Sequence, residues 1–344
     1  MALDSRGHRC TRRASALVCI GITIATLPLA AQKKKKGDDM TQTLELPKDP
    51  PMVSAGETRK LVFQVSPLSG KGLLSQQTKD AVRAILKLNG NAQIVHVRAF
   101  VAGNGDVRRV PQIISDVMSE KHLQLPSVSV VRVGGLTLEN AQVVLETVSV
   151  ARKDVNPAGL DFVDSGTNTA AEPATNPRPL LDQALEQLLG KSPAAETLAV
   201  TCFVSTMTDP AGLVGAVTSR YSGAAVNVVM TQRGPFQAFA SCQAVRRGTR
   251  VTAARLAFTG TRVAFGQQEK DATLAFQRLD RDLTEAGSTP ASVVFTNIYP
   301  LSGSMAQLAG KLRASSGPVA MIPSEGVAAI EAGFAVDAIA TVAK

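Results

Sequence analysis

Two kinds of hydrophobic pattern alternate along this chain, and their order recurs three times. Each recurrence opens with a leucine and a phenylalanine two residues apart, as expected of a short strand. A stretch with helical spacing of apolar residues follows and ends in glycine, which favours a helix with a left-handed cap. The leucine and phenylalanine of each predicted strand are Leu61 and Phe63, Leu160 and Phe162, and Leu256 and Phe258. The glycines that end the helical stretches are Gly90, Gly190 and Gly287.

The remainder of each recurrence keeps the same order. An apolar strand segment comes directly after the glycine, namely IVHVRAF, LAVTCFV or SVVFTNI. A second helical pattern is predicted near residues 107–123, 210–221 and 304–314, and the closing strands at 142–150, 237–245 and 333–341. Because these features recur at a step of about 95–100 residues, we interpret the chain as a tandem triplication.

The predicted fold class is α+β, with three ββ-α-β-α-ββ domains at residues 58–153, 154–247 and 248–344. Two helices can cover only one face of such a sheet. The strands VVLETVSV and FAVDAIA are apolar or small nearly throughout, so both faces are expected to be buried. We therefore predict an intramolecular pseudo-trimer, with helices outside and sheets facing inward. A monomeric chain would then mimic a homotrimer.

The first 31 residues have the pattern of a secretory signal peptide. Four arginines precede an apolar run from Ala14 to Ala31 that ends in small residues, which predicts cleavage near Ala31. The alternative is a membrane anchor, but the run is shorter than the ~20 residues of a spanning helix. Residues 32–57 are rich in lysine and proline and are predicted to form a solvated linker. We expect an exported protein, periplasmic or secreted, without a stable membrane span.

Composition narrows the possible partners. The net charge is +9, but the leader and the lysine run carry about five of these charges, so the body is only mildly basic. Only 4% of residues are aromatic and none is Trp, so no nucleic-acid partner is expected. His96 and His122 lack a second ligand at metal-binding spacing, and no metal or cofactor is expected. Cys202 and Cys242 are either two small buried side chains or a disulfide between neighbouring strands.

The outer recurrences resemble the RidA/YjgF family of small homotrimeric proteins. The likeness is best in the third, in FTG at 258–260, in KDATLAFQRLDRDLTEAGSTPASVVFTNIYPLSG and in EAGFAVDAIATVAK. In the first it is carried by SQQTKDAVRAI and LPSVSVVRVGGLTLENAQVVLETVSV, while the middle one matches in outline. The resemblance covers about residues 58–344. It implies clefts between subunits where reactive enamines or imines are hydrolysed to keto acids and ammonia.

The family's catalytic pair is missing from all three recurrences. The resemblance implies an arginine that holds the substrate carboxylate and a glutamate that positions water. The arginine position holds Val128 in the first copy and Ala320 in the third, while the glutamate position holds Val144 and Ala335. Lysine or a neutral residue replaces a bidentate arginine poorly. We therefore favour a catalytically degenerate protein that binds a small molecule or acts as a scaffold. The alternative is a deaminase that uses relocated residues.

A few polar residues remain as candidates. Relocated catalysis would first involve Arg132, Glu146 and Asp337, although Arg132 also fits an exposed strand position. Ligand-binding candidates are Val128, Arg132, Tyr299 and Ala320. Glu146, Gln243 and Asp337 occupy equivalent positions in apolar strands, and we expect them to form hydrogen bonds between repeats because buried polar groups need partners.

Overall fold

A computed structural model describes residues 48–171, 175–232, 237–248, 254–313 and 317–343. The predicted leader, its cleavage site and most of the predicted linker lie outside these ranges. Within them, no helix is both long and apolar enough to cross a membrane.

The described residues form a mixed α+β fold, as predicted. The helices are α1 Leu74–Leu88, α2 Arg109–Glu120, α3 Arg178–Lys191, α4 Pro210–Arg220, α5 Glu269–Glu285 and α6 Gly303–Leu312. The strands of the first half are β1 Val53–Glu57, β2 Leu61–Val65, β3 Ile94–Ala102, β4 Ser127–Val133, β5 Gly135–Leu136, β6 Val143–Val150, β7 Leu160–Thr169 and β8 Thr197–Val204. Those of the second half are β9 Ala225–Met230, β10 Phe239–Arg247, β11 Arg255–Thr259, β12 Arg262–Phe265, β13 Val293–Pro300, β14 Val319–Met321, β15 Gly326–Val327 and β16 Ala332–Val342.

The strands make three sheets of related topology. The first has the order β15-β4-β3-β6-β2, the second β5-β9-β8-β10-β7, and the third β1-β11-β16-β13-β14 with β12 also on β16. In each sheet the strand after the first helix pairs in parallel with the strand after the second helix and antiparallel with the closing strand. A parallel pair needs a crossover connection, and α2, α4 and α6 supply it.

Two helices cover one face of each sheet because their apolar residues fall on one side. In α1 the buried positions include Thr78, Ala81, Val82 and Ile85, at spacings of three and four residues. Ala81, Val82 and Ile85 pack with valines on the helix-facing side of β3 and β6 in one core. The pairs α3 with α4 and α5 with α6 build two further cores of the same kind.

Short strands from one sequence segment complete the sheet of another. The strand β5 follows β4 along the chain but pairs with β9 in the second sheet. Likewise β15, from the last segment, pairs with β4 in the first sheet. Strand β1 pairs along its whole length with β11. This pairing corrects the prediction of a solvated linker for residues 53–57, because their backbone groups are bound into the third sheet.

The second face of each sheet is also buried. Phe100, Phe203 and Tyr299 come from different sheets, are fully buried and belong to one apolar cluster. The rings of Phe100 and Phe203 meet edge to face, with centroids 5.8 Å apart. A separate cluster that includes Leu61, Leu160 and other residues of all three sheets lies beyond them. We call the space enclosed by these inward faces the central interface.

Cys202 on β8 and Cys242 on β10 form a disulfide. They are direct partners in the antiparallel register of the two strands, with Cα atoms 4.1 Å apart. Both side chains are fully buried beneath α3 and α4. The sequence left two interpretations open for these cysteines, and the structure confirms the disulfide.

Candidate functional site

A buried ion pair lies in the central interface. Arg98 on β3 faces Glu146 on β6, its direct antiparallel partner. Nε of Arg98 donates to Oε2 of Glu146 over 2.7 Å, and Nη2 lies 2.5 Å from the same oxygen. Only 13% of the arginine side chain and 14% of the glutamate side chain is exposed. Each charge is stabilised by its partner, because the free energy of burying an unpaired ion is high.

The other carboxylate oxygen of Glu146 binds the second sheet. Oε1 accepts hydrogen bonds from the hydroxyl of Thr201 at 2.6 Å and from the amide of Asn227 at 2.7 Å. Both oxygens of Glu146 are therefore occupied by donors of the protein. The predicted hydrogen bonding of this residue between segments is confirmed.

A directional chain of side chains continues from the ion pair to the third sheet. Nη1 of Arg98 donates to Oε1 of Gln243 at 3.2 Å, and Nε2 of Gln243 donates to Oδ1 of Asn297 at 3.0 Å. Nδ2 of Asn297 donates to Oδ1 of Asp337 at 2.7 Å, and the hydroxyl of Tyr299 donates to Oδ2 at 2.9 Å. A guanidinium only donates and a carboxylate only accepts, so both amide orientations are fixed.

Burial and the neighbouring groups shift the pKa values of the network. Burial opposes the charge on Arg98, but the carboxylates of Glu146 and Asp337 raise its pKa above the usual value. Burial raises the pKa of Asp337, whereas Arg98 and the donors Asn297, Ser129 and Tyr299 act in the opposite sense. Burial and the neighbouring Asp337 raise the pKa of Tyr299 well above 10, so its phenol stays a donor.

His96 is a neutral imidazole beside this network. Burial, with the nearby charge of Arg98, lowers its pKa from 6.5 to about 3. Its Nδ1 lies 3.0 Å from the hydroxyl of Ser127, which is also within hydrogen-bonding distance of the carbonyls of Phe258 at 2.9 Å and Val95 at 3.3 Å. When the hydroxyl donates to one of these carbonyls, Nδ1 carries the imidazole proton and Nε2 is an acceptor. The ring stacks on Phe258 with centroids 5.7 Å apart.

A cavity of about 90 Å³ lies between the polar network and a group of aromatic rings. We call it the axial cavity. All three sheets contribute to its wall. Its charged lining residues are Arg98, Glu146 and Asp337, and its aromatic ones are Phe63, Phe162, Phe258 and Phe295, beside His96. A cavity of this volume has room for water molecules or for a small solute.

The relocated catalytic candidates do not share one site. Arg132 on β4 lines a separate cleft of about 380 Å³, together with Arg108, Asp106 and Glu325. Its Nη2 donates to the carbonyl of Gly105 at 2.8 Å, and the side chain is half-buried rather than exposed. Glu146 and Asp337 line the axial cavity instead. The structure thus separates the arginine of the predicted set from its two acids.

The remaining ligand-binding candidates do not line either cavity. Val128 is buried in the core beneath α1 and α2. Ala320 is buried on β14 opposite Asn297. Tyr299 is fully buried, and its hydroxyl is bound to Asp337. Ligand binding by these residues stays a prediction. Among the described residues, no group of three or more His, Cys, Asp or Glu side chains could hold a metal ion.

Sequence reasoning missed Arg98, Thr201 and Asn297. Each is a polar residue in the middle of a largely apolar strand, and the three follow one another at intervals of 103 and 96 residues, close to the repeat step. Comparison of the three strands position by position would have found them. The same comparison places Phe100, Phe203 and Tyr299 together, two residues further along each strand.

Comparisons with known proteins give partial likenesses. No protein-family model matches the chain, and no curated protein matches it. Among solved structures, it is similar to a member of the YjgF/YER057c/UK114 family from Mycobacterium tuberculosis, at 24% identity and TM-score 0.24, over 28% of this chain and 83% of that one. A YjgF family member from Neisseria meningitidis matches at 22% identity and TM-score 0.24, over 26% and 81%. A cyanuric acid hydrolase from A. caulinodans matches at 11% identity and TM-score 0.24, over 82% and 100%. Because these likenesses are low in identity and TM-score, we infer the function from the residues of the site.

Proposed function

We propose that this protein is a catalytically degenerate, RidA-like triple-domain protein that binds a small molecule in the axial cavity. The observation that carries the proposal is the cavity itself, enclosed by three sheets between a polar network and four phenylalanine rings. Apolar walls with a few fixed polar groups are the usual composition of small-molecule sites.

The occupancy of the acids favours binding over catalysis. A general base must keep a free lone pair within reach of the proton that it abstracts. The two oxygens of Glu146 together make four contacts with Arg98, Thr201 and Asn227, so its lone pairs are used. Asp337 lies at the other end of the network and accepts from Asn297 and Tyr299. His96 has a pKa of about 3 and would be a weak base near neutral pH. The network therefore serves as a fixed polar wall.

The arrangement of the chain is part of the proposal. Three segments of about 95 residues would form a pseudo-trimer around the central interface, with β1, β5 and β15 exchanged between segments. Recurrence of element order, sheet topology and inward-facing aromatic positions supports this interpretation. Export to an oxidising compartment is supported by the Cys202–Cys242 disulfide, since such bonds persist mainly outside the cytosol.

The alternative function is an imine or enamine deaminase centred on Arg132. The purified protein would be given amino-acid-derived imines generated in situ, and keto-acid release would be followed. We expect the rate to equal that of free-imine hydrolysis, and Arg132→Ala to change nothing. Turnover above that rate which disappears in Arg132→Ala would establish the deaminase and overturn the non-catalytic proposal.

Binding is tested with a variant that fills the axial cavity. Ala199 lines it from β8, opposite Val245 on β10, and Leu at this position would occupy the open space. A library of small polar fragments would be screened by ligand-observed NMR against the parent protein, Ala199→Leu and the matched control Ala199→Ser. We expect fragments that bind the parent and the control but not Ala199→Leu. Absence of any such fragment would contradict the proposal.

A further inference from the structure

The polar wall of the axial cavity contains one cation and two carboxylates. Its charged members among the described residues are Arg98, Glu146 and Asp337. Arg98 directs Nε and Nη2 to Glu146. Its hydrogen-bonded path to Asp337 runs through Gln243 and Asn297, although its charge also acts on Asp337. The nearest donors to Asp337 are neutral, namely Asn297, Tyr299 and Ser129. An ionised Asp337 therefore shares a single guanidinium with Glu146, which holds that guanidinium directly.

The remaining wall suits a small cation. Phe63, Phe162 and Phe295 lie in contact around the cavity, with centroids 6.5 Å apart for the first two and 6.3 Å for the last two. Aromatic faces attract cations, and the attraction is stronger in a desolvated site. His96 also lines the cavity, and in the tautomer with the proton on Nδ1 its Nε2 is an acceptor to which no hydrogen bond occurs among the described residues. An N–H donor in the cavity would satisfy it.

We propose that the axial cavity binds a small primary ammonium ion, with its charge near Asp337, an N–H toward His96 and its alkyl part against the phenylalanine rings. This inference rests on the proposed binding function and adds the chemical class of the ligand. A volume of about 90 Å³ suits a small ligand. An anion of the same size would meet two carboxylates for one guanidinium, and a neutral molecule would leave the charge imbalance in place.

Three probes of similar size separate the charge classes. Methylammonium, methanol and formate would each be titrated into the full chain, with binding followed by saturation-transfer NMR. Methylammonium is expected to bind on the order of tenfold or more tighter than methanol, and formate is expected not to bind, because charge-assisted contacts are the strong ones. Asp337→Asn is expected to lower methylammonium affinity about tenfold or more.

Two further variants locate the binding. Ala199→Leu is expected to abolish it, and Ala199→Ser to retain it. If methanol or formate binds as tightly as methylammonium, and Ala199→Leu blocks that binding, the ammonium assignment is wrong while the proposed function stands. The same conclusion follows if only other fragments bind in the cavity. If neither the probes nor any fragment is blocked by Ala199→Leu, both proposals are wrong. Unchanged methylammonium affinity in Asp337→Asn would also overturn the ammonium assignment.

Discussion

The side-chain amides of Gln243 on β10 and Asn297 on β13 meet across two different sheets, with Nε2 of Gln243 3.0 Å from Oδ1 of Asn297. This contact joins the ion pair of Arg98 and Glu146 to the carboxylate of Asp337. Each side chain comes from an otherwise apolar strand. Directional hydrogen bonds therefore specify the central interface together with apolar packing. A shift of one sheet relative to another would break these hydrogen bonds.

Glu146→Gln should be strongly destabilising. The change would leave Arg98 as a buried cation without its counter-charge, at a cost of roughly 3–5 kcal/mol. Chemical denaturation monitored by circular dichroism would measure the loss. The matched control is Glu285→Gln, which breaks an exposed pair with Arg281 on α5 and should leave the midpoint unchanged. Equal midpoints for the two variants would contradict the account of the polar network.

Phe203→Ala should test packing between the sheets. Phe203 is fully buried against Phe100, and the guanidinium carbon of Arg98 lies 5.9 Å from its ring centroid. Loss of a buried phenylalanine typically costs about 3–5 kcal/mol. The control is Leu274→Ala on α5, where the leucine is 52% exposed and little change is expected. A small effect at Phe203, measured by the same denaturation, would mean that the inward faces do not pack together.

The protein should lose stability in acid through His96. Its pKa falls from 6.5 in the unfolded chain to about 3 in the folded protein, so the unfolded chain binds the extra proton between these values. The free energy of unfolding should therefore decrease as pH falls from 6.5 toward 3, by up to about 1.4 kcal/mol per unit. Asp337 acts with the opposite sign, since its pKa is raised.

Comparison with His96→Gln isolates this contribution, because Asp337, Glu146, Arg98 and Tyr299 are retained. The difference in unfolding free energy between parent and variant should be greatest above pH 6.5 and shrink in acid. Parallel curves of unfolding free energy against pH for the two proteins would show that folding does not lower the pKa of His96.

Removal of the disulfide should destabilise the second sheet. Cys202 and Cys242 close a loop with a sequence separation of 40, and a bond of this kind typically contributes about 2–4 kcal/mol. Denaturation of Cys202→Ala/Cys242→Ala would measure the loss. Alkylation of the unfolded parent without reductant should find neither of these thiols. Labelling of both cysteines under those conditions would contradict the bond.

The sequence predicted the helices and strands better than it predicted which strands pair with distant parts of the chain. The first helical periods gave α1, α3 and α5, and the second helical patterns gave α2, α4 and α6 within a few residues. Gly90 and Gly287 have the left-handed conformation expected of a closing glycine, whereas α3 continues through Gly190 to Lys191, so the predicted helix end at Gly190 is wrong. Apolar strands such as β6 were predicted to be buried on both faces, and they are. The exchange of β5 and β15 was not foreseen, because two-residue strands have no periodicity and pair with distant parts of the chain.

The candidate site was predicted only in part. Glu146, Gln243 and Asp337 were found because each interrupts an apolar strand at the same place in its segment. Arg98 escaped notice because a lone arginine in a strand resembles any solvent-facing position, and its burial depends on Glu146 on another strand. The axial cavity depends on how three inward faces fit together, which local pattern does not encode.

The most direct test of the account is the location of a bound ligand. Nuclear Overhauser effects would be recorded between the methyl protons of bound methylammonium and the ring protons of selectively labelled phenylalanine. The account predicts contacts to Phe63, Phe162 and Phe295, each assigned by its Leu variant, and their disappearance in Ala199→Leu. Contacts to other phenylalanines alone, or the same contacts in Ala199→Leu, would contradict a binding site between the three sheets.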